Sequence, residues 1–169
     1  MLALSLVIAG IALRFLPHAP NFTPVAAIAL FGGAYLSDRK TALLVPLALM
    51  VASDLVLGMH NTVAFTWGGF LIITLLGSLL QKRISGLRVV SLSLVSSLVF
   101  FVVSNFGVWL MGWYPRTFAG LAECYLMAVP FLKDFTAATL LYAVALFGSY
   151  ELIARAVRDT RLAKVLLQK

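Results

Sequence analysis

Long apolar runs, each bounded by charge, proline or glycine, dominate the chain. Six of them have the length and character of membrane-spanning helices, at about residues 2–16, 22–37, 41–58, 62–80, 89–112 and 135–157. A spanning helix needs about 20 mostly apolar residues, and polar breaks mark its ends. Pro17 stops the first run. Pro24 sits in the first turn of the second, where a missing N–H removes no helical bond. Pro46 lies inside the third, where it predicts a kink. A further stretch, Ala119–Leu132, contains Glu123 and Pro130 and is too short to cross. It reads as a re-entrant or interfacial segment of the last outer loop. The expected fold is an all-α polytopic membrane protein, one transmembrane domain over residues 1–169.

Composition narrows the class. Of 169 residues, 62% are hydrophobic and 11% charged, and the mean hydropathy is +1.03. An ordinary soluble domain is about 45–50% apolar and about 25% charged. These values exclude disorder, a water-soluble enzyme and a disulfide-stapled secreted module. The first run lacks a basic leader and an A-x-A site, so it reads as a span and not as a signal peptide. Cys124 is the single cysteine, which excludes an internal disulfide and a cysteine-based metal cluster. No metal and no cofactor is expected.

The net charge of +7 would suggest nucleic acid in a soluble protein. In a membrane protein basic residues collect in cytoplasmic loops instead. With the N-terminus inside, Arg39, Lys40, Lys82, Arg83, Arg88, Arg155, Arg158, Arg161, Lys164 and Lys169 fall inside, ten against three (Arg14, Arg116 and Lys133) outside. Both termini are expected in the cytoplasm, with the lipid bilayer as a partner and no nucleic acid.

On this topology the informative polar residues crowd the outer third. Arg14, His18 and Asn21 lie at the outer end of the first span. Asp54 sits about one turn below the end of the third, followed by His60 and, in the next span, Thr66 and Trp67. Asn105 lies about 10 Å below the outer end of the fifth at 1.5 Å per residue, followed by Trp109, Trp113, Tyr114 and Arg116. Glu123, Cys124 and Tyr125 complete the set. This distribution fits a pocket opening outward better than a polar pore crossing the bilayer. An ionisable Asp54 within a span is a functional candidate, or a structural ion pair with Arg14. Asn105 hydrogen-bonds a ligand or joins helices. The aromatics line a pocket or form an interfacial belt. The two histidines lack metal-ligand spacing. Cys124 is a small hydrophobe, or a ligand for a soft metal centre in the pocket. Glu151 is explained by an i,i+4 ion pair with Arg155. Ser5 and Ala9, and Ala29 and Gly33, are small-xxx-small pairs that serve close packing or a docking face for a membrane partner.

Four segments carry a resemblance. They are Arg14-Phe-Leu-Pro-His-Ala-Pro-Asn-Phe-Thr-Pro24, Ser53-Asp54, Ser104-Asn-Phe-Gly-Val-Trp109 and Tyr114-Pro-Arg-Thr-Phe-Ala-Gly-Leu-Ala-Glu-Cys-Tyr125. They resemble a family of small bacterial inner-membrane proteins described as transport proteins without an assigned substrate. In size, topology and polar distribution the chain also resembles the S components of energy-coupling factor (ECF) vitamin transporters. That resemblance implies uptake of a vitamin-like micronutrient, a bacterial inner (cytoplasmic) membrane location, and an energising membrane subunit with ATPases docked near Ser5 and Ala9. Ligand is then expected among the first, third, fifth and sixth spans beneath the loop Trp113–Asp134. Arg14 would clamp an anionic group, Asp54 and Asn105 would orient polar groups, and Trp109 and Tyr125 would stack on the ligand. No Walker A motif is present, so the chain is not expected to hydrolyse ATP by that route. The alternatives are a membrane enzyme using Cys124, a histidine and an acidic residue, and a scaffold subunit without a pocket. No nucleophile elbow or HExxH motif supports the enzyme.

Overall fold

The computed structural model describes residues 1–17, 19–36 and 38–167, leaving aside the side chain of Arg39. Among these the architecture is all-α. The helices are α1 (Leu2–Leu13), α2 (Val25–Tyr35), α3 (Arg39–Leu57), α4 (Val63–Ser78), α5 (Gly86–Leu110), α6 (Phe118–Val157) and the short α7 (Ala163–Leu166).

The bundle is built around α2. Its sequence, VAAIALFGGAY, has no polar face, and Val25 through Ala34 are all buried. A helix that is apolar all round is stable only when covered all round. Helices α1, α3, α4, α5 and α6 each pack against it. The closest approach is to α4, where glycine faces glycine. A Cβ on Gly33 would collide with the Thr74 carbonyl, and one on Gly77 would collide with the Leu30 carbonyl. Small residues at such a crossing let two backbones touch. Beyond the crossing, Gln81 Nε2 donates to Gly33 O at 2.8 Å and satisfies one of the end carbonyls of α2.

Successive helices run in opposite directions, as the contacts of α5 with α6 show, and α2 and α4 run the same way, which gives the bundle two distinct ends. One end gathers the α1–α2, α3–α4 and α5–α6 turns. The other gathers Lys40, Lys82, Arg83, Arg88, Arg155, Arg158, Arg161 and Lys164 by their places in the chain. Local chemistry sets the helix limits. Asp38 caps α3 by accepting from the amides of Lys40 (2.9 Å) and Thr41 (3.0 Å). The side chain and backbone of Thr41 hold its carboxyl below the usual range. Gly58 ends α3 with φ 113°, a conformation that side-chain-bearing residues avoid.

The largest departure from expectation is α6. Ala119–Leu132 is not a separate segment: it forms the first part of one helix of 40 residues. Thr117 caps that helix by accepting from Gly120 N at 3.1 Å, and Pro130 lies inside it. Such a helix is about 60 Å long, against about 30 Å for a hydrocarbon core. It also cannot run parallel to α5 throughout. Phe100 stacks on Phe135 with centroids 4.5 Å apart, and Cys124 Sγ lies 3.4 Å from Asn105 O. Between these two contacts α5 advances five residues and α6 eleven, about 8 Å and about 17 Å of helix. Pro130 falls within this stretch, where it cannot donate the usual i→i−4 hydrogen bond.

The outer surface is apolar on many sides, with Leu44, Leu55, Val56, Leu98, Leu126, Leu141 and Leu152 all exposed. Patches of this kind are unusual on soluble monomers. Three stretches, Lys40–Leu57, Gly86–Leu110 and Phe118–Val157, are long and apolar enough to cross a membrane, while α1, α2 and α4 are shorter apolar helices. These features indicate membrane association.

The α2–α4 crossing yields a direct test. Gly33→Ala and Gly77→Ala are expected to destabilise the protein by about 3 kcal/mol or more through forced helix separation. Gly68→Ala, with open space around the added carbon, is expected to be neutral or slightly stabilising. Thermal melts followed by size-exclusion fluorescence in detergent would separate the two classes.

Candidate ligand-binding site

Two polar assemblies occupy the same end of the bundle, and they differ in kind. The first is closed. Arg14 caps the end of α1, and its Nη2 donates to Asp54 Oδ1 at 2.6 Å. Its Nη1 reaches Ser53 Oγ at 2.6 Å and Met50 Sδ at 3.0 Å. The other carboxylate oxygen, Asp54 Oδ2, accepts from Trp67 Nε1 at 2.7 Å. Met50, Ser53 and Asp54 lie three and four residues apart and so share one face of α3. The side chains of Arg14 and Asp54 are 16% and 2% exposed. A buried carboxylate requires this degree of pairing. The assembly ties α1, α3 and α4 together and lines neither of the cavities described next. Of the two roles open to Asp54, the geometry shows the ion pair.

The second assembly is open. Where α6 diverges from α5, two adjoining cavities of ≈ 300 and ≈ 430 Å3 form. Asn21, His60, Asn105, Val108, Ala128 and Phe131 line both. The inner lobe adds Thr66, Phe100, Phe101, Ser104, Leu132 and Phe135. The outer lobe adds Asn61, Thr62, Trp113, Tyr114, Cys124 and Met127. The walls are therefore α4, α5 and α6 with the α1–α2 and α3–α4 turns, and not the first and third helices. Asn21 adopts φ 61°, which asparagine tolerates better than most residues. His60 Nδ1 lies 2.9 Å from Thr62 Oγ1, and its Nε2 has no partner among the described residues. Asn105 Nδ2 donates to Phe101 O at 2.8 Å, and its side-chain oxygen has no donor among the described residues.

Several candidate residues have other employment. Trp109 Nε1 donates to Pro115 O at 3.0 Å, and Arg116 Nη2 donates to Leu110 O at 3.1 Å. Both brace the short α5–α6 turn, and no long lid covers the cavity. Tyr125 OH donates to Val102 O at 2.7 Å while its ring packs edge-on against Phe101. Glu123 is exposed and lines neither lobe. Cys124 is buried and does line the outer lobe. His18 lies outside the described residues. Among the described residues no cluster of His, Cys, Asp and Glu could hold a metal. Ala29 and Gly33 are buried in the helix packing and cannot form a docking face, whereas Ser5 and Ala9 are exposed on α1. At the opposite end Glu151 accepts from Tyr35 OH at 2.7 Å. No ion pair joins it to Arg155 among the described residues.

The sequence reading missed the aromatic wall. Its signals were the Phe100–Phe101 pair and the four-residue spacing of Phe131 and Phe135, which puts both on one face of α6.

Residues 1–162 match a single family along their whole length, described as a family of unknown function. The chain belongs to that family, DUF6580. No curated protein and no solved structure matches it. The open assembly of this DUF6580 protein is thus read from its own residues.

The closed assembly predicts a stability phenotype. Asp54→Asn or Arg14→Ala is expected to destabilise the bundle by about 3 kcal/mol, since removing one partner strands the other. Trp67→Phe, which orphans Asp54 Oδ2, is expected to lose about 1–3 kcal/mol. Denaturation in detergent measures both, and Arg116→Ala at the exposed turn should change the melt far less.

Proposed function

We propose that this protein is a membrane solute-binding transport protein whose ligand occupies the two-lobed cavity. The observation that carries the reading is the cavity itself. Its lobes fall at the lower end of the usual size range for small-molecule sites, about 300–1,000 Å3. It combines apolar aromatic walls with a few unsatisfied polar groups, Asn105 above all. That mixture is what orients a ligand while excluding water.

The proposal includes a topology. The six longer helices lie within the bilayer, with both termini in the cytoplasm and the cavity opening to the outer face. The crowding of basic residues at the end opposite the cavity supports that orientation. Its length requires α6 to cross with its later part and to lean toward the interface before Pro130. The membrane proposed is the inner membrane of a bacterium. The resemblance to ECF S components supports uptake of a vitamin-like micronutrient, energised through a partner membrane subunit with ATPases. The exposed Ser5 and Ala9 offer that partner a surface of small side chains.

Two measurements test these statements. A C-terminal green fluorescent protein fusion is expected to fluoresce and an alkaline phosphatase fusion to be inactive; the reverse result would invert the orientation. Mass spectrometry of small molecules released from detergent-purified protein is expected to show one stoichiometric species. Its occupancy should fall about tenfold or more in Asn105→Leu, the loss of a charge-free hydrogen-bond pair and its replacement by an apolar group. An empty protein whose melt no small molecule shifts would remove the transport reading.

A further inference from the structure

We propose that the ligand of this cavity is uncharged, with a planar aromatic body and an amide-like hydrogen-bonding group. The inference rests on the pocket reading above and adds the ligand class.

Charge balance is the first argument. No Asp, Glu, Lys or Arg is among the lining residues of either lobe. The charged residues of this end are placed elsewhere. Arg14 and Asp54 satisfy each other, Arg116 caps α5, and Glu123, Lys133 and Asp134 are exposed on α6 outside the lining. His60 is the one lining side chain that could face an anion with positive charge, and none could face a cation with a carboxylate; an unpaired charge in the aromatic inner lobe is far costlier than a neutral polar group.

The walls argue for a flat apolar body. Phe100 is sandwiched between Phe70, at 4.8 Å and 23°, and Phe135, at 4.5 Å and 17°. Both of its faces are covered, so this ring cannot offer its π-face to a cation. With Phe101 and Phe131, Phe100 and Phe135 give the inner lobe an aromatic wall. Edge-to-face and offset contacts with a ligand ring are favoured there.

Asn105 argues for the polar group. Its amide nitrogen uses one hydrogen on Phe101 O, which leaves one N–H and a free carbonyl oxygen side by side. The complement is a donor next to an acceptor, as in a primary amide or a lactam. A carboxylate would set its lone pairs against that oxygen.

The test uses three probes on one bicyclic ring: 2-naphthamide, 2-naphthoate and 2-naphthylmethylammonium. Calorimetry on the detergent-purified full chain is expected to give a Kd for the amide at least about tenfold below that of either ion. Asn105→Leu should erase that advantage with little change in Tm. Should that variant fail to fold, the three-probe comparison on the unaltered protein still decides. If either ion binds as tightly as the amide, the ligand class is wrong and the pocket reading stands. If no probe binds and none shifts the melt, the ligand class and the pocket reading fall together.

Discussion

The covering of α2 is the constraint on which the rest of the structure depends. An eleven-residue helix without a polar face can be stable only where other helices enclose it. The glycine contact with α4 brings those two backbones together, and the remaining helices close around the pair. Close packing of this kind tolerates little adjustment, because a core dense as a crystal transmits any added volume. The two ends of the bundle inherit their positions from this centre. Gln81 meets the end of α2 on one side, and the loop before α2 brings Asn21 to the cavity on the other.

At the cavity end the polar groups divide by what they lack. The Arg14–Asp54–Trp67 assembly is paired within itself: each carboxylate oxygen has a donor, and the guanidinium reaches across from α1 to α3. Such a group fixes helices to one another, and it lines neither lobe of the cavity. Asn105 and His60 each keep an unused polar atom beside open space. Both arrangements look alike in a sequence, as polar residues near the end of an apolar run. They differ in chemistry because one set faces itself and the other faces a void. The void lies between the first part of α6, α5 and the α3–α4 turn, so the long helix forms one wall of the site.

The sequence by itself determined the helical class, the near positions of the helices and the asymmetry of charge. Those properties are local or additive: apolar runs, prolines, glycines and basic residues act where they stand. It also placed the candidate polar residues at one end, and Asn21, His60, Asn105, Tyr114 and Cys124 do line the cavity. Only the tertiary structure decided the rest. Whether Asp54 meets Arg14 or a ligand depends on residues forty positions apart. That Trp109, Arg116 and Tyr125 are held by carbonyl oxygens is a matter of where a backbone turns. That Ala119–Leu132 continues into α6 means that Pro130 does not end the helix, which meets α5 on both sides of it, at Cys124 and at Phe135. The stacked phenylalanines come from helices that periodicity cannot register against each other, because contact between distant segments is set by the whole bundle and not by any one stretch of chain.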